Sequence, residues 1–195
     1  MKNARKIRYG DGSMIKQPAY VSFLRAVNVG GRVVKMEVLR DLFRGLGYAG
    51  VETFIASGNV IFESDSQDRS EMETRIERAL QTALGYEVSV FVRNLAEVGV
   101  IAAHRPFPES SITAAGALNV GLLKAPLTAA ARQSLSLLET EIDDFSTHGS
   151  EIYWICGKKQ SESKISNAVL ERTLKVKTTL RGFRTIQKLA AKYPE

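Results

Sequence analysis

The spacing of hydrophobic positions changes along this chain, and the changes mark out strands and helices. Apolar residues fill AYVSFLR, residues 19–25, which predicts a buried strand. After a loop to Val34, apolar residues recur from Met36 to Leu46 at the spacing of one helix face, and Gly47 ends the predicted helix. The chain therefore enters its fold with a strand, a long loop and an amphipathic helix.

Two further strands, a second helix and a fourth strand follow. Residues 51–55 and 59–63 read as strands, and glycine and asparagine in the joining segment accept the positive φ of a hairpin turn. Asp68 and Glu71 have the spacing of a capping box at the start of the second helix, and Gly85 ends the predicted helix. YEVSVFV, residues 86–92, then alternates as a strand. We expect the hairpin to be antiparallel.

The order strand, helix, strand, strand, helix, strand is the split βαβ arrangement of a ferredoxin-like plait. The order repeats with a strand at 117–123, a helix at 127–139 and a hairpin around Gly149. Another helix from Ser163 to Leu174, a short strand and a closing helix from Phe183 complete the second set. The sequence predicts an α+β protein of two tandem ferredoxin-like (βαββαβ) subdomains, the second more irregular and ending in an extra helix.

Composition and punctuation divide the chain into four parts. The first residues are polar and basic without an apolar period, and an Arg-Pro-Phe-Pro turn at 105–108 marks a boundary. The predicted parts are a flexible N-terminal extension at 1–18, a first ferredoxin-like subdomain at 19–93, a linking helix and proline-containing loop at 94–116, and a second α+β subdomain with a C-terminal helix at 117–195.

The composition is that of a globular protein, with 44% hydrophobic and 25% charged residues among 195. No segment approaches the roughly 18 consecutive apolar residues of a membrane span, and no apolar stretch follows the N-terminal charges. We expect a cytoplasmic protein without a membrane partner. The lone Cys156 lies in a strand-like segment, which indicates packing rather than a disulfide.

The formal charge of +6 is unevenly distributed. Residues before Pro18 carry +4 and those from Gly157 onward carry +7, which leaves −5 for the segment between them. A basic C-terminal segment attracts phosphate-bearing partners at low salt, although a solvated surface accounts for the same charges.

The segment RAVNVGGRVVKMEVLRDLFRGLGYAGVETFIASGNVIFES, residues 25–64, resembles the signature region of a bacterial family known as domain of unknown function 1697. The resemblance continues through VSVFVRNLAEV and SKISNAVLERTLKVKTTLRGFRTIQKL, so it covers most of residues 19–189. It implies two plait-like subdomains and brings no activity, substrate, cofactor or catalytic residues with it.

This chain departs from the usual wording of that family at three places. Ala26 and Val27 stand where Gly-Ile is usual, Ala56 replaces a glutamine, and Gly182-Phe183 stands in place of Asn-Trp. If the last pair takes part in binding, this member binds differently.

In a plait, the loop after the first strand and the hairpin after the second lie at the same end of the sheet. The first helix points its N-terminus, with unpaired amides and a positive dipole, at that end. We therefore predict a binding site for a phosphate- or carboxylate-bearing small molecule. Its candidate residues are Arg25, Asn28, Gly30, Gly31, Lys35, Ser57, Gly58 and Asn59.

A purely structural interpretation of these residues stays open. Glycine and asparagine also serve turn geometry, and Arg25 needs a partner such as Glu37 or Glu52. The loop matches neither a Walker motif nor G-x-G-x-x-G, so nucleotide binding has no motif support.

A second candidate surface is basic and C-terminal. Its residues are Lys164, Lys175, Lys177, Arg181, Arg184 and Lys188. An extended segment from Lys175 to Arg181 places alternate residues on one face, which fits a nucleic-acid backbone or an acidic protein. The sheets lack the aromatic pair with which an RRM stacks bases.

Conventional catalysis has little support. His104 and His148 with one cysteine are too few and too ill-spaced for a zinc site, and no nucleophile–base arrangement is recognisable. We predict no cofactor and no metal, and we favour a binding protein over an enzyme. The alternative is an enzyme acting on a phosphorylated small molecule between the subdomains, with Arg25, Lys164 and Arg181 as electrostatic groups. Nothing in the sequence indicates an oligomeric state.

Overall fold

The computed structural model describes residues 7–8, 14–15, 17–28, 31, 33–55 and 58–194. The chain divides into two compact units, Met1–Leu95 and Ala96–Glu195. Each unit contains one four-stranded antiparallel sheet with helices. The mixed α and β composition predicted from the sequence is confirmed.

The first unit begins with a short ladder in which β1 and β2 pair Ile7 with Ile15 and Arg8 with Met14. The rest of the predicted N-terminal extension, up to residue 16, lies outside the described residues. The elements of this unit are β1 (Ile7–Arg8), β2 (Met14–Ile15), β3 (Ala19–Leu24), α1 (Met36–Gly45), β4 (Ala49–Thr53), β5 (Asn59–Glu63), α2 (Arg69–Leu84) and β6 (Val90–Asn94). Helix α3 (Leu95–Ala103) starts at its end.

The four-stranded sheet of the first unit has the order β4-β5-β3-β6, with antiparallel neighbours throughout. Helices α1 and α2 bury their apolar faces on this sheet. Phe43 of α1 lies beside Phe62 of β5, with ring centroids 5.4 Å apart, and Tyr48 lies 4.5 Å from the same ring. This aromatic cluster, with Met72 and Ile76 of α2, forms the centre of the core.

The ends of α2 follow the sequence prediction. The Asp68 carboxylate accepts a hydrogen bond of 3.0 Å from the Glu71 amide at the N-terminus. Gly85 takes a left-handed conformation with φ +78° at the C-terminus. The predicted start of the next strand at residue 86 is wrong, because β6 begins only at Val90, opposite Leu24.

The second unit repeats the order of strands and helices. Its elements are α4 (Glu109–Ala114), β7 (Ala117–Leu122), α5 (Ala129–Ser136), β8 (Asp143–His148), β9 (Glu151–Cys156), the 3-10 helix η1 (Gln160–Glu162), α6 (Asn167–Leu174), β10 (Thr179–Gly182) and α7 (Phe183–Lys192). Its sheet has the order β10-β7-β9-β8, again antiparallel. Among the described residues of both units, no helix is long and apolar enough to cross a membrane.

A buried carboxylate organises the core of the second unit. Asp143 accepts hydrogen bonds from Trp154 Nε1 at 2.8 Å, Thr140 Oγ1 at 3.0 Å and Ser163 Oγ at 2.9 Å. These bonds provide polar partners for a carboxyl group that is costly to bury alone. Cys156 is buried in the same core, and burial raises the pKa of its thiol, which agrees with a packing role.

Candidate functional site

The loop after β3 and the hairpin before β5 lie side by side. β3 and β4 are both antiparallel to β5, so they run in the same direction and terminate at the same end of the sheet. There the Leu24 amide donates a hydrogen bond of 2.8 Å to the Gly58 carbonyl. The two stretches that carry the predicted binding residues therefore form one rim of the first unit.

Gly58 is tightly packed in this rim. Its φ is +75°, and a Cβ at this position would lie 2.8 Å from Val27 Cγ1 and 3.2 Å from Leu24 Cβ. Backbone conformation and close packing therefore both require glycine here. The contact joins the hairpin to the loop through van der Waals packing as well as the hydrogen bond.

The loop after β3 is also anchored on its other side. The Arg25 amide donates to the Ser89 carbonyl at 2.9 Å, and the Tyr86 hydroxyl donates to the Val27 carbonyl at 3.0 Å. The path of the loop is thus determined by its neighbours as far as Asn28.

The two candidate asparagines bond to nearby backbone groups. Asn28 Oδ1 accepts a hydrogen bond of 2.7 Å from the Val34 amide, which closes the loop. Asn59 is buried, and its Nδ2 donates to the Phe54 carbonyl at 3.0 Å across the hairpin. Both amides therefore shape the rim from within.

Two residues of the rim have an unfavourable backbone conformation. Ala26 and Ile55 both have φ +57°, and among the described residues Lys175 is the only other non-glycine residue with positive φ. An L-residue in this region costs about 1–2 kcal/mol. Such conformations often occur at binding and catalytic sites, where the surrounding structure enforces them.

Positive charge lies close to the N-terminus of α1. Lys35 is exposed and is the N-cap residue of the helix, and its side chain makes no capping hydrogen bond. Arg25 is half-buried at the end of β3. Gly31, with φ +79°, has open space where a Cβ would stand. The remaining candidates, Gly30 and Ser57, lie outside the described residues.

Glu37 was one of two predicted partners of Arg25, and it binds arginines of its own helix. It forms ion pairs with Arg40 and, at 3.1 Å, with Arg44. Hydrogen bonds from Arg40 and Arg44 lower the pKa of this carboxyl group.

The six basic C-terminal residues do not share one exposure. Arg181 is only 8% exposed. The other five are exposed: Lys164, Lys175, Lys177, Arg184 and Lys188. Arg181 Nη1 donates to Thr179 Oγ1 at 2.8 Å and to the Leu180 carbonyl at 2.9 Å, and burial lowers its pKa to about 10. Arg181 thus belongs to the interior. The predicted alternation fails because Lys175 is left-handed and β10 begins only at Thr179.

The structure also joins residues that sequence reasoning left apart. The rings of His104 and His148 stack with centroids 4.4 Å apart, and His104 lies 4.8 Å from the Tyr153 ring. The buried Tyr153 hydroxyl has no hydrogen-bond partner among the described residues. Because the two histidines are 44 positions apart, only the pairing of β8 with β9 and the position of α3 bring them together.

The described residues contain no cluster of candidate metal ligands. Within the described part of the chain, no group of three or more histidine, cysteine, aspartate or glutamate side chains is arranged to hold a metal ion.

Comparisons with known proteins match the chain to one family model and to a solved structure. A family model described as "Protein of unknown function (DUF1697)" matches residues 18–153. The solved structure of conserved bacterial protein SP0830 from Streptococcus pneumoniae is similar, with a TM-score of 0.69 and 21% identity over 92% of this chain and 99% of that chain. At this identity the similarity shows the fold alone. No curated protein matches the chain.

Proposed function

Because the chain belongs to the family of proteins of unknown function DUF1697, we propose a function from the geometry of its own site: the first unit binds a small phosphate- or carboxylate-bearing molecule. The site comprises the loop from Arg25 to Lys35 and the hairpin from Phe54 to Asn59. The observation that carries this proposal is the 2.8 Å hydrogen bond from Leu24 to Gly58, which holds the two loops together beside the N-terminus of α1.

The supporting chemistry is that of an anion site. A helix N-terminus presents backbone amides and a positive dipole, and the N-cap side chain of α1, that of Lys35, does not compete for those amides. Lys35 and Arg25 add positive charge on either side of the loop. Asn28 and Asn59 serve as positioning residues, since they hold the loop and the hairpin in shape.

Thermal unfolding with inorganic phosphate and citrate tests this proposal, with chloride at matched ionic strength as the reference. A ligand that binds only the native state raises the melting temperature by mass action. We expect phosphate or citrate to stabilise the wild type and to lose this effect in Lys35→Glu, while Lys158→Glu, an exposed lysine of the second unit, keeps it. Equal stabilisation by chloride, or an unchanged response in Lys35→Glu, contradicts the proposal.

The sheet orders also support a finer description of the fold. Read across each four-stranded sheet from one side, the strands stand in the order second, third, first and fourth, where each strand is numbered by its place along the chain. With helices after the first and third strands, this is the order of a ferredoxin-like plait. We propose that both units are plaits; an experimental structure with another strand order in either unit contradicts this.

A second candidate function uses the exposed basic residues of the C-terminal segment. Five of these side chains reach solvent, which favours contact with a phosphate backbone. They are Lys164, Lys175, Lys177, Arg184 and Lys188. We expect a salt-dependent mobility shift of generic RNA or DNA that weakens when Lys175, Lys177 and Arg184 are replaced by glutamate. The replacement Arg181→Lys provides a control at the buried position. No shift at low salt excludes this function.

A further inference from the structure

A groove of about 970 Å³ runs between α1 and α2 on the helical face of the first unit. Its α1 side is formed by Val38, Leu42 and Leu46, which recur at i, i+4 and i+8. They form a second apolar stripe beside the buried Leu39 and Phe43. Val38 is 44% exposed, so the core of the unit leaves this stripe partly uncovered.

The α2 side of the groove is formed by small and charged residues. Ala79 and Ala83 contribute side chains short enough to let another helix approach closely. Glu71, Arg75 and Arg78 follow the same side at i, i+4 and i+7. The α2 side of the groove therefore combines a narrow apolar surface with a row of charged side chains.

These charges have few partners within the unit. Arg75 Nη2 donates to the Leu46 carbonyl at 2.7 Å, and Glu71 Oε2 lies 3.5 Å from Ser66 Oγ. Among the residues that the structure describes, neither Glu71 nor Arg78 forms an ion pair. Both charges are therefore available to a partner in the groove.

The order of the charges is self-complementary. In a twofold interface every contact from residue i to residue j is repeated from j to i. A twofold axis that crosses α2 between Thr74 and Arg75 pairs Glu71 of each copy with Arg78 of the other, and sets Arg75 opposite Thr74. Opposite charges then meet at both ends of the contact, and no arginine faces its own copy.

We infer that the groove between α1 and α2 binds a second copy of this chain, with α2 of each copy lying antiparallel in the groove of the other. A uniformly acidic or basic partner matches only one end of the charged row, whereas a second copy matches both. Such an interface also covers the apolar stripe of Val38, Leu42 and Leu46. This inference does not depend on the anion site.

Sedimentation velocity of the full chain over a range of concentrations tests the inference. We expect the wild type to form a concentration-dependent dimer. Arg78→Glu and Glu71→Lys each place like charges opposite one another twice per dimer, so each variant alone dimerises about a hundredfold more weakly. An equimolar mixture of the two restores the dimer, because all facing charges are again opposite.

The mixture also distinguishes lost charge pairing from misfolding, since a variant that fails to fold cannot be rescued by its counterpart. Arg172→Glu, an exposed arginine on α6 of the second unit, is the matched control and dimerises like the wild type. Three results each overturn the inference: a wild type that stays monomeric at all concentrations, charge-reversed variants that dimerise as the wild type does, or a mixture that remains monomeric.

Discussion

Gly58 shows how a single residue couples the two loops of the rim. Replacing it with alanine forces a side chain into a left-handed conformation, at about 1–2 kcal/mol, and drives a Cβ against Val27, at about 1–3 kcal/mol. We therefore expect Gly58→Ala to lower the free energy of unfolding by about 2–5 kcal/mol in urea denaturation.

Gly47 provides the control for that measurement. Its φ is +86°, yet nothing lies within 4 Å of a Cβ built there. Gly47→Ala therefore carries only the backbone cost of about 1–2 kcal/mol. If the two variants lose the same free energy of unfolding, the clash between the new Cβ and Val27 adds nothing to the cost of Gly58→Ala.

For the substitution Ala26→Gly we expect the opposite effect, a gain in the free energy of unfolding. The φ of +57° at this position is unfavourable for alanine, whereas glycine adopts this conformation without a steric penalty. Relief of the left-handed strain exceeds the entropic cost of glycine, so Ala26→Gly raises the free energy of unfolding by about 0.5–1 kcal/mol. In chemical denaturation, Ala130→Gly at an exposed position of α5 gives a loss instead. A loss for Ala26→Gly as well argues against strain at Ala26.

The asparagines show what sequence can predict at the residue scale. The sequence predicts that both asparagines make specific hydrogen bonds, and it leaves open whether the partner is a ligand or the nearby backbone. The choice depends on acceptors and donors several positions away, such as the Phe54 carbonyl for Asn59 and the Val34 amide for Asn28. Sequence spacing alone does not determine which of them lies within reach.

At the scale of elements, the outer edge of the first sheet is closed by glutamates of α2. Glu73 Oε1 accepts from the Val92 amide and Glu77 Oε1 from the Val90 amide, both at 2.9 Å. β6 is the edge strand, so these carboxylates bond amides that have no neighbouring strand. In the second unit Glu171 accepts from the Thr178 amide at 2.9 Å, directly before edge strand β10.

We expect Glu73→Ala to destabilise the first unit. The side chain is 3% exposed, and its loss leaves the buried Val92 amide without its acceptor, which costs about 1–3 kcal/mol. Glu73→Gln keeps an amide oxygen in place and loses less. Urea denaturation and hydrogen exchange at Val92 measure both effects, and exchange at Val92 as slow in Glu73→Ala as in the wild type rules out the edge-closing role.

Element boundaries were less predictable than element order. Helix α6 was expected from Ser163, yet it begins at Asn167, where the Ser166 hydroxyl caps the Val169 amide at 3.3 Å. Helix α4 was not predicted at all, because its six residues form less than two turns and carry no apolar period. Local caps and short segments decide these limits, and hydrophobic spacing does not record them.

At the scale of the molecule, both units contain a four-stranded antiparallel sheet and share one detail at its fourth strand. In each, the penultimate residue of the fourth strand is a buried arginine, Arg93 or Arg181, whose Nη1 donates to the carbonyl of the preceding residue. A helix follows each of these strands directly. Burial of these arginines was not predictable, since alternation places a side chain on one face of a strand without showing whether that face is covered.

The histidine pair gives the molecule a predictable response to acid. Burial and the neighbouring His148 lower the pKa of His104, while Glu151 acts in the opposite direction. The unfolded chain therefore binds a proton more readily than the folded chain. Stability contributed by this site is present above the ordinary histidine pKa of about 6.5 and decreases as the pH falls below it.

Replacing His104 with phenylalanine tests this response, because the ring still packs against Tyr153 but carries no titrating group. We expect the free energy of unfolding to fall less steeply in His104→Phe than in the wild type as the pH decreases below about 6.5. His148→Phe removes only the repulsion from the second histidine, so its slope lies between the two. Since burial is the larger cause of the lowered pKa, a wild-type slope in His104→Phe means that other groups control the acid response of the chain.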